Sequence, residues 1–292
     1  MSFSKVAVVG AGVMGQGISQ TVASTGTEVE LFDIDEDHLS ISIKSLSDEM
    51  DREIERWGMT SSEKKAILSR IKTTPNLADA EDFPLIIESI PEDLGLKKSL
   101  FSKLDKVCPP ETIFVTNTST LSITEIGAAT ARPDKVIGLH FLNPVPKIPL
   151  VEIVRGLKTS DETYEKIKEF AVTLGKTPVK VFEYPGYVTT RIIVPLLNEA
   201  MHVLMEGVAT ASDIDNAIKL GYGFNIGPLA LADKMGLDVV MDWMENLLNE
   251  LSDHKYNPCP VLRKMVRAGH LGVKTGQGFF KYDSDGNRLI EE

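Results

Sequence analysis

Three glycines near the amino terminus have the spacing of a phosphate-binding turn. They are Gly10, Gly12 and Gly15. The apolar run at residues 5–9 precedes them and a stretch with helical character, residues 16–24, follows. In such a strand–turn–helix the first glycine permits the tight turn, the second lets the backbone approach a pyrophosphate, and the third lets the helix pack on the strand. The first N–H groups of the helix then face the phosphates. The motif therefore predicts a dinucleotide site.

An acidic residue follows at the distance that this motif requires. Asp33 lies 18 residues after Gly15, at the end of a second apolar run, and its carboxylate is placed to accept from the adenine ribose hydroxyls. Three more acids at positions 35–37 would repel a 2′-phosphate, so the sequence predicts NAD rather than NADP. The alternative is a glycine-rich turn that binds no ligand. Such a turn would not require a strand before it, a helix after it and an acidic residue at this distance. The residues predicted to contact NAD here are Gly10, Gly12, Val13, Met14, Gly15 and Asp33.

Strand and helix signals alternate along the chain to about residue 183. This alternation is typical of an α/β fold with a doubly wound, mostly parallel sheet of the Rossmann type. Capping boxes at residues 60–63 and 122–125 predict two helix starts, and the first of these helices is expected to run through Ile71. A long charged helix is predicted at residues 36–57. The predicted strands are residues 5–9, 28–32, 85–88, 112–116, 135–141, 150–154 and 178–182.

Strand signals stop at Pro185 and Gly186, after which the sequence has helical character throughout. We therefore expect an NAD-binding domain over residues 1–185 and an all-helical substrate and dimerisation domain over residues 186–292. The first helix of the second domain is more apolar than one buried stripe requires. This excess predicts a homodimer or a higher homo-oligomer. The alternative is that the other helices cover this surface within one chain. The apolar residues concerned are Ile192, Ile193, Val194, Leu196 and Leu197.

The overall composition excludes several classes of partner. The 292 residues include 31 Lys and Arg against 42 Asp and Glu, a formal charge of -11, whereas nucleic-acid binding needs a basic surface. The 2 cysteines predict neither a disulfide framework nor a metal site, and they favour a reducing cytoplasm. No apolar run approaches the ~18 residues that cross a bilayer, and residues 1–9 do not have the pattern of a signal peptide. We therefore expect a cytoplasmic protein without a nucleic-acid or membrane partner.

Further motifs, taken in their order and separation, resemble the short-chain L-3-hydroxyacyl-CoA dehydrogenase family. The resemblance covers essentially the whole chain and implies reversible oxidation of a 3-hydroxyacyl-CoA to the 3-ketoacyl-CoA with NAD. A short acyl group, such as that of 3-hydroxybutanoyl-CoA, is the implied substrate. Besides the glycine turn, the motifs are Asn-Thr-Ser at 117–119, Gly-Leu-His-Phe-Leu-Asn-Pro-Val-Pro at 138–146, Leu-Val-Glu at 150–152, Asp-Asn-Ala at 215–217 and Lys-Thr-Gly-Gln-Gly-Phe at 274–279.

The resemblance also implies roles for individual residues. His140 would take the proton of the substrate hydroxyl as general base and return it as general acid, while Glu152 would orient the imidazole. Ser119 would bind the reacting oxygen and the cofactor. The other residues implied near the cofactor are Glu92, Lys97, Asn117 and Asn143. By themselves, a histidine at a strand end, a strand carboxylate and a turn serine are also typical of structural residues.

Two features depart from the family pattern. Thr190 stands where the family has an asparagine that orients the substrate and the catalytic groups. Thr keeps a hydroxyl but loses the amide, so we expect a changed rate or acyl preference and the same reaction type. Arg52 and Arg56 lie four residues apart on the predicted helix, and Arg56 replaces a lysine that contacts CoA in the family. They could pair with the 3′-phosphate of CoA, or form a solvated face with neighbouring acids.

Two other functions remain open at this stage. The first is a dehydrogenase that acts on a free or differently conjugated 3-hydroxy acid. The second is a catalytically weakened NAD-binding protein that serves as a partner or sensor, for which the change at Thr190 is the motive.

Overall fold

A computed structural model of the chain describes residues 3–289. These residues form two compact units, which divide between Tyr184 and Pro185. Within the first unit the described residues form an eight-stranded sheet with the order β3-β2-β1-β4-β5-β6-β7-β8. The strands are β1 (Lys5–Val9), β2 (Glu28–Phe32), β3 (Ile71–Thr74), β4 (Leu85–Glu88), β5 (Ile113–Thr116), β6 (Val136–Phe141), β7 (Leu150–Arg155) and β8 (Thr177–Phe182).

Neighbouring strands are parallel except β6 and β7, which are antiparallel. Strands β4, β5 and β6 are buried along their whole length, as expected when helices cover both faces of a parallel sheet. The helices of this unit are α1 (Val13–Ser24), α2 (Glu36–Glu55), α3 (Ser61–Leu68), α4 (Leu94–Val107), α5 (Ile123–Gly127) and α6 (Asp161–Thr173). The strand order reverses between β1 and β4, and ligands of doubly wound sheets bind at the carboxyl ends of the strands beside such a reversal.

The predicted fold class is confirmed, but one strand was missed. The predicted helix through Ile71 is wrong at its end, because α3 stops at Leu68 and Ile71 begins β3. The start of the helix is correct, since Thr60 and Glu63 form the reciprocal capping box. Strand β3 is a short edge strand that pairs only with β2, so its apolar content is low. The β-branched residues Ile71, Thr73 and Thr74 were the signal for it.

Two other local predictions need correction. Helix α2 ends at Glu55 rather than at residue 57, and Arg56 is its C-cap. The second predicted capping box is only half formed. Ser122 accepts from the Glu125 N–H at 3.1 Å, but the Glu125 carboxylate lies 2.8 Å from Lys98 Nζ instead of returning to the helix start. A lysine on α4 thus competes for the side chain that a capping box would use.

The second unit is helical, as predicted. Its helices are α7 (Thr189–Met205), α8 (Ala211–Tyr222), α9 (Pro228–Met235), α10 (Leu237–Leu251) and α11 (Pro260–Arg267). Pro195 lies inside α7. Three residues later, the buried Asn198 forms hydrogen bonds with the segment before α11. Its Oδ1 accepts from the Cys259 N–H at 2.9 Å, and its Nδ2 donates to the Asn257 carbonyl at 3.0 Å.

A buried aspartate on α9 holds the chain that follows α11. Asp233 is 1% exposed and accepts from the Phe279 N–H, the Phe280 N–H and the Tyr282 hydroxyl at 2.9, 3.0 and 2.9 Å. A Cβ at Gly278 would lie 2.0 Å from Asp233 Oδ1, so only glycine fits at this close approach. Loss of water raises the pKa of Asp233 to about 6, although the three hydrogen bonds oppose the shift.

This raised pKa predicts how stability depends on pH. The folded state holds the proton on Asp233 more tightly than the unfolded chain does. The contribution of this proton to the free energy of unfolding is therefore complete below the ordinary pKa of 3.8 and is lost as pH rises through about 6. We expect the free energy of unfolding of the wild type, minus that of Asp233→Asn, to fall by about 2 kcal/mol from pH 4 to pH 7. Urea unfolding of both proteins measures this difference, and a constant difference would contradict the prediction.

Candidate active site

The glycine turn adopts the close approaches that its sequence predicts. Gly10 has φ +105°, and a Cβ there would lie 2.5 Å from the Ser89 carbonyl oxygen. A Cβ at Gly15 would lie 1.7 Å from the Gly10 carbonyl oxygen, so this glycine lets α1 begin directly against the turn. Gly12 differs, because a Cβ there would meet no atom within 4 Å. Its backbone therefore borders open space at the amino end of α1.

Asp33 fastens the end of β2 to this turn. Its Oδ2 accepts from the Ala11 N–H at 2.6 Å, and its Oδ1 accepts from the Ile34 N–H at 2.7 Å. The Ala11 carbonyl accepts in turn from the buried Ser42 hydroxyl at 2.7 Å. These bonds fix the turn without a ligand, which preorganises it for one.

The amino end of α1 fits a dinucleotide. Its N-cap is Gly12, which makes no side-chain cap, so the first N–H groups of the helix are not capped by a side chain of their own N-cap residue. Those groups and the helix dipole suit the pyrophosphate, while Asp33 suits the adenine ribose. Val13, at the first position of the helix, is 69% exposed, and Met14 packs partly against the core of the unit.

A histidine and a glutamate form a buried pair at the junction of β6 and β7. His140 and Glu152 are direct partners in the antiparallel register, so their side chains lie on the same face of the sheet. His140 Nδ1 lies 2.7 Å from Glu152 Oε2, with the two residues 3% and 0% exposed. A carboxylate accepts only, so Nδ1 carries the hydrogen, and the neutral ring has its basic lone pair on Nε2. In this tautomer Nε2 is the ring atom that can accept a proton, and a carboxylate at Nδ1 favours the protonated ring.

The loop after β5 connects to both neighbouring strand ends. Asn117 donates its backbone N–H to the Glu88 carbonyl at 2.9 Å, and its Oδ1 accepts from the Phe141 N–H at 2.9 Å. It therefore ties the loop to the residue directly after His140. Ser119, two residues on, donates its N–H to Glu92 Oε1 at 2.9 Å.

Glu92 and Lys97 are tied to this loop and to the end of β4. Glu92 Oε1 accepts from the Thr118 hydroxyl at 2.5 Å as well as from Ser119. Lys97, on α4, is 1% exposed, and its Nζ lies 2.6 Å from Glu88 Oε1 and 3.5 Å from Glu92 Oε2. Glu88 was not identified from the sequence; its signal was a carboxylate that ends an otherwise apolar strand.

The remaining predicted site residues are not part of these clusters. Asn143 is exposed in the loop after β6. Thr190, in the second unit, is 1% exposed, and its hydroxyl has no hydrogen-bond partner within the part of the chain that is described. On α2, Arg52 is paired with Glu49 at 2.6 Å, as in the predicted alternative of a solvated face. Arg56, the C-cap, lies outside the helix proper.

Comparison with known proteins identifies the family. The model for the 3-hydroxyacyl-CoA dehydrogenase NAD-binding domain matches residues 5–184, and the model for the 3-hydroxyacyl-CoA dehydrogenase C-terminal domain matches residues 186–282. The chain belongs to the 3-hydroxyacyl-CoA dehydrogenase family. It is an NAD-dependent oxidoreductase of that family, and NAD is its cofactor.

Named relatives and solved structures agree with this 3-hydroxyacyl-CoA dehydrogenase assignment. A probable 3-hydroxybutyryl-CoA dehydrogenase of Bacillus subtilis is 45% identical over 97% of this chain and 99% of its own length. A 3-hydroxybutyryl-CoA dehydrogenase of Clostridioides difficile is 45% identical over 96% and 99%. The crystal structure of FadB2 from M. tuberculosis superposes with a TM-score of 0.94 at 36% identity, covering 97% of this chain and 100% of that one. For (S)-3-hydroxybutyryl-CoA dehydrogenase PaaH1 from Ralstonia eutropha the TM-score is 0.88 at 41% identity, with coverage of 97% and 100%.

Two structural features are absent from the described residues. Between residues 3 and 289, no helix is both long enough and apolar enough to cross a membrane. In the same range, no group of three or more His, Cys, Asp or Glu side chains could hold a metal ion.

Proposed function

We propose that the protein catalyses the reversible oxidation of a short-chain 3-hydroxyacyl-CoA, such as 3-hydroxybutanoyl-CoA, to the 3-ketoacyl-CoA. The observation that carries this proposal is the buried pair of His140 and Glu152, 2.7 Å apart at the end of a strand. The printed names of the relatives, 3-hydroxybutyryl-CoA dehydrogenases at 45% identity, support the short acyl group.

In the proposed mechanism the proton moves through His140. Its Nε2 takes the proton of the substrate hydroxyl during oxidation and returns it during reduction. Glu152 holds the ring through Nδ1 and stabilises the imidazolium, because the carboxylate is buried beside the charge that develops. NAD, when bound, supplies the acceptor for the hydride. Ser119 is proposed to bind the reacting oxygen, and Asn143 the nicotinamide end of the cofactor.

The two units are proposed to divide these tasks. Residues 1–185 would form the NAD-binding domain, and residues 186–292 would form the substrate and dimerisation domain. Arg52 and Arg56 are proposed to meet the 3′-phosphate of CoA. For Arg52 to do so, its guanidinium must leave Glu49 and bind the phosphate. Breaking the Arg52–Glu49 ion pair costs little free energy because both side chains are exposed.

The acyl-CoA specificity has a direct test. Reduction of acetoacetyl-CoA and of acetoacetate by NADH should differ in kcat/KM by at least about 10²-fold in favour of the thioester, since CoA contacts add binding that the free acid lacks. Absorbance of NADH measures both rates. Equal rates would favour the dehydrogenase of a free 3-hydroxy acid, and no turnover with either would favour the NAD-binding partner or sensor. A series of 3-ketoacyl-CoA chain lengths then defines the acyl preference.

The role of His140 predicts a selective loss of turnover. His140→Ala should lower kcat by roughly 10²- to 10⁴-fold, the usual contribution of a positioned base, while NADH affinity stays unchanged. Fluorescence titration with NADH supplies the binding control. Glu152→Gln should also lower kcat, because the amide cannot stabilise the imidazolium charge. Near-normal turnover of His140→Ala would remove this histidine from the mechanism.

Thr190 is proposed to tune the fit of the acyl group. Thr190→Asn restores the family pattern, so turnover of acetoacetyl-CoA should rise if Thr only weakens orientation of the thioester. If Thr190 is instead adapted to another acyl group, the variant should gain on acetoacetyl-CoA and lose on the preferred substrate. The chain-length series separates these results, and unchanged kinetics throughout would show that position 190 does not govern substrate fit.

A homodimer or a higher homo-oligomer is proposed for the assembly. In the second unit Ile192 is 68% exposed and Leu220 and Tyr222 are 83% and 77% exposed, so these large apolar side chains are available for a subunit contact. By contrast Val194 and Leu197, expected at the same surface, are fully buried in the core of their own unit. Light scattering at micromolar concentration should give a multiple of 32.0 kDa, and a mass near 32.0 kDa would contradict the proposal.

A further inference from the structure

A buried carboxylate ends β4 and is bonded on both of its oxygens. Glu88 is 0% exposed. Its Oε1 accepts from Lys97 Nζ at 2.6 Å and from the Ile90 N–H at 2.7 Å, and its Oε2 accepts from the Thr116 hydroxyl at 2.6 Å. Thr116 is the last residue of β5, so this one side chain joins two adjacent strand ends.

The same network continues to the loop that carries Ser119. Lys97 Nζ, held by Glu88, also lies 3.5 Å from Glu92 Oε2. Glu92 Oε1 in turn accepts from the Ser119 N–H and the Thr120 N–H at 2.9 and 3.1 Å. A continuous path of charge-assisted contacts therefore runs from Glu88, at the end of β4, to the backbone around Ser119.

The network lies in the part of the sheet between the glycine turn and His140. In the strand order β2-β1-β4-β5-β6, strands β4 and β5 lie between β1, which leads into the glycine turn, and β6, which ends at His140. Asp33, at the end of β2, marks the adenine side of the cofactor. The nicotinamide side must then lie towards the carboxyl ends of β4, β5 and β6, where the network and His140 both lie.

We propose that Glu88 is a positioning residue for the dehydrogenase reaction: it fixes Lys97, and through Lys97 and Glu92 it sets the loop that holds Ser119. Glu88 does not touch the reacting atoms. Its effect is indirect, on the geometry of a residue proposed to bind the reacting oxygen. This inference rests on the proposed function.

A purely structural ion pair is the competing explanation, because breaking a buried pair destabilises any fold. Variants of two threonines, near opposite ends of β5, distinguish the two explanations. Thr116 and Thr112 are both buried, and each donates its hydroxyl to a buried acceptor: Thr116 to Glu88 at the carboxyl end of β5, and Thr112 to the Phe83 carbonyl at 2.8 Å just before its amino end. Thr116→Val and Thr112→Val therefore remove the same group from opposite ends of the strand.

The experiment measures kcat for acetoacetyl-CoA reduction at saturating NADH, together with the thermal unfolding midpoint. Glu88→Gln should lower kcat about 10- to 100-fold, the scale of a small misplacement at a reacting centre. Thr116→Val should lower kcat by a smaller factor, and Thr112→Val should leave kcat unchanged while lowering the midpoint about as much. Since Glu88 acts through Glu92, the double variant Glu88→Gln/Glu92→Gln should lose less than the product of the two single losses.

Normal kcat in a folded Glu88→Gln, independent losses in the double variant, or identical kcat for the two threonine variants would each overturn the inference. If Glu88→Gln does not fold, the threonine pair decides alone. A wild type without turnover of acetoacetyl-CoA would overturn the proposed function and this inference with it. An active wild type with normal variants would overturn the inference alone.

Discussion

The contact between His140 and Glu152 depends on a change of direction in the sheet. Six strands run parallel, and β7 then returns antiparallel to β6, so that Glu152 faces His140 in register. A parallel neighbour would need a crossover of a dozen or more residues, whereas the reversal uses only residues 142–149. The short return keeps Asn143 at the carboxyl end of the sheet, the edge at which doubly wound sheets bind ligands.

Burial of the His140–Glu152 pair costs desolvation free energy and also fixes the orientation of the imidazole. A carboxylate that is 0% exposed needs hydrogen-bond donors, and an imidazole that is 3% exposed keeps its orientation because the carboxylate accepts from one nitrogen. Removing either partner would leave the other buried without this hydrogen bond. In the proposed mechanism this burial keeps water from the edge of the ring that Glu152 contacts, so the carboxylate would stabilise the imidazolium that forms.

Much of the fold and part of the site could be predicted from the sequence, and the reason is local. The turn at Gly10–Gly15 is recognisable because Gly15 must leave room for the nearby Gly10 carbonyl, and the strand before it is apolar because both faces are covered. Strand β3 was missed because a correct helix start at Thr60 was extended by periodicity into an edge strand with little apolar content. The half-formed capping box at Ser122 failed for a different reason: Lys98, distant in sequence, binds the Glu125 carboxylate. Interactions of this kind depend on tertiary neighbours that a single sequence does not reveal.

The two buried carboxylates at the strand ends differ in what they hold. Glu152 faces an imidazole, whose second ring nitrogen is a site for proton transfer in the proposed mechanism, whereas Glu88 faces an ammonium group that donates hydrogen bonds. Burial raises the pKa of Glu88, while Lys97, Thr116 and the Ile90 N–H oppose that shift by bonding the charged form. A lysine side chain between two carboxylates can orient a loop through these contacts. In the proposed mechanism the sheet separates two tasks by strand: β6 and β7 would carry the proton chemistry, and β4 and β5 would carry the network that positions the Ser119 loop.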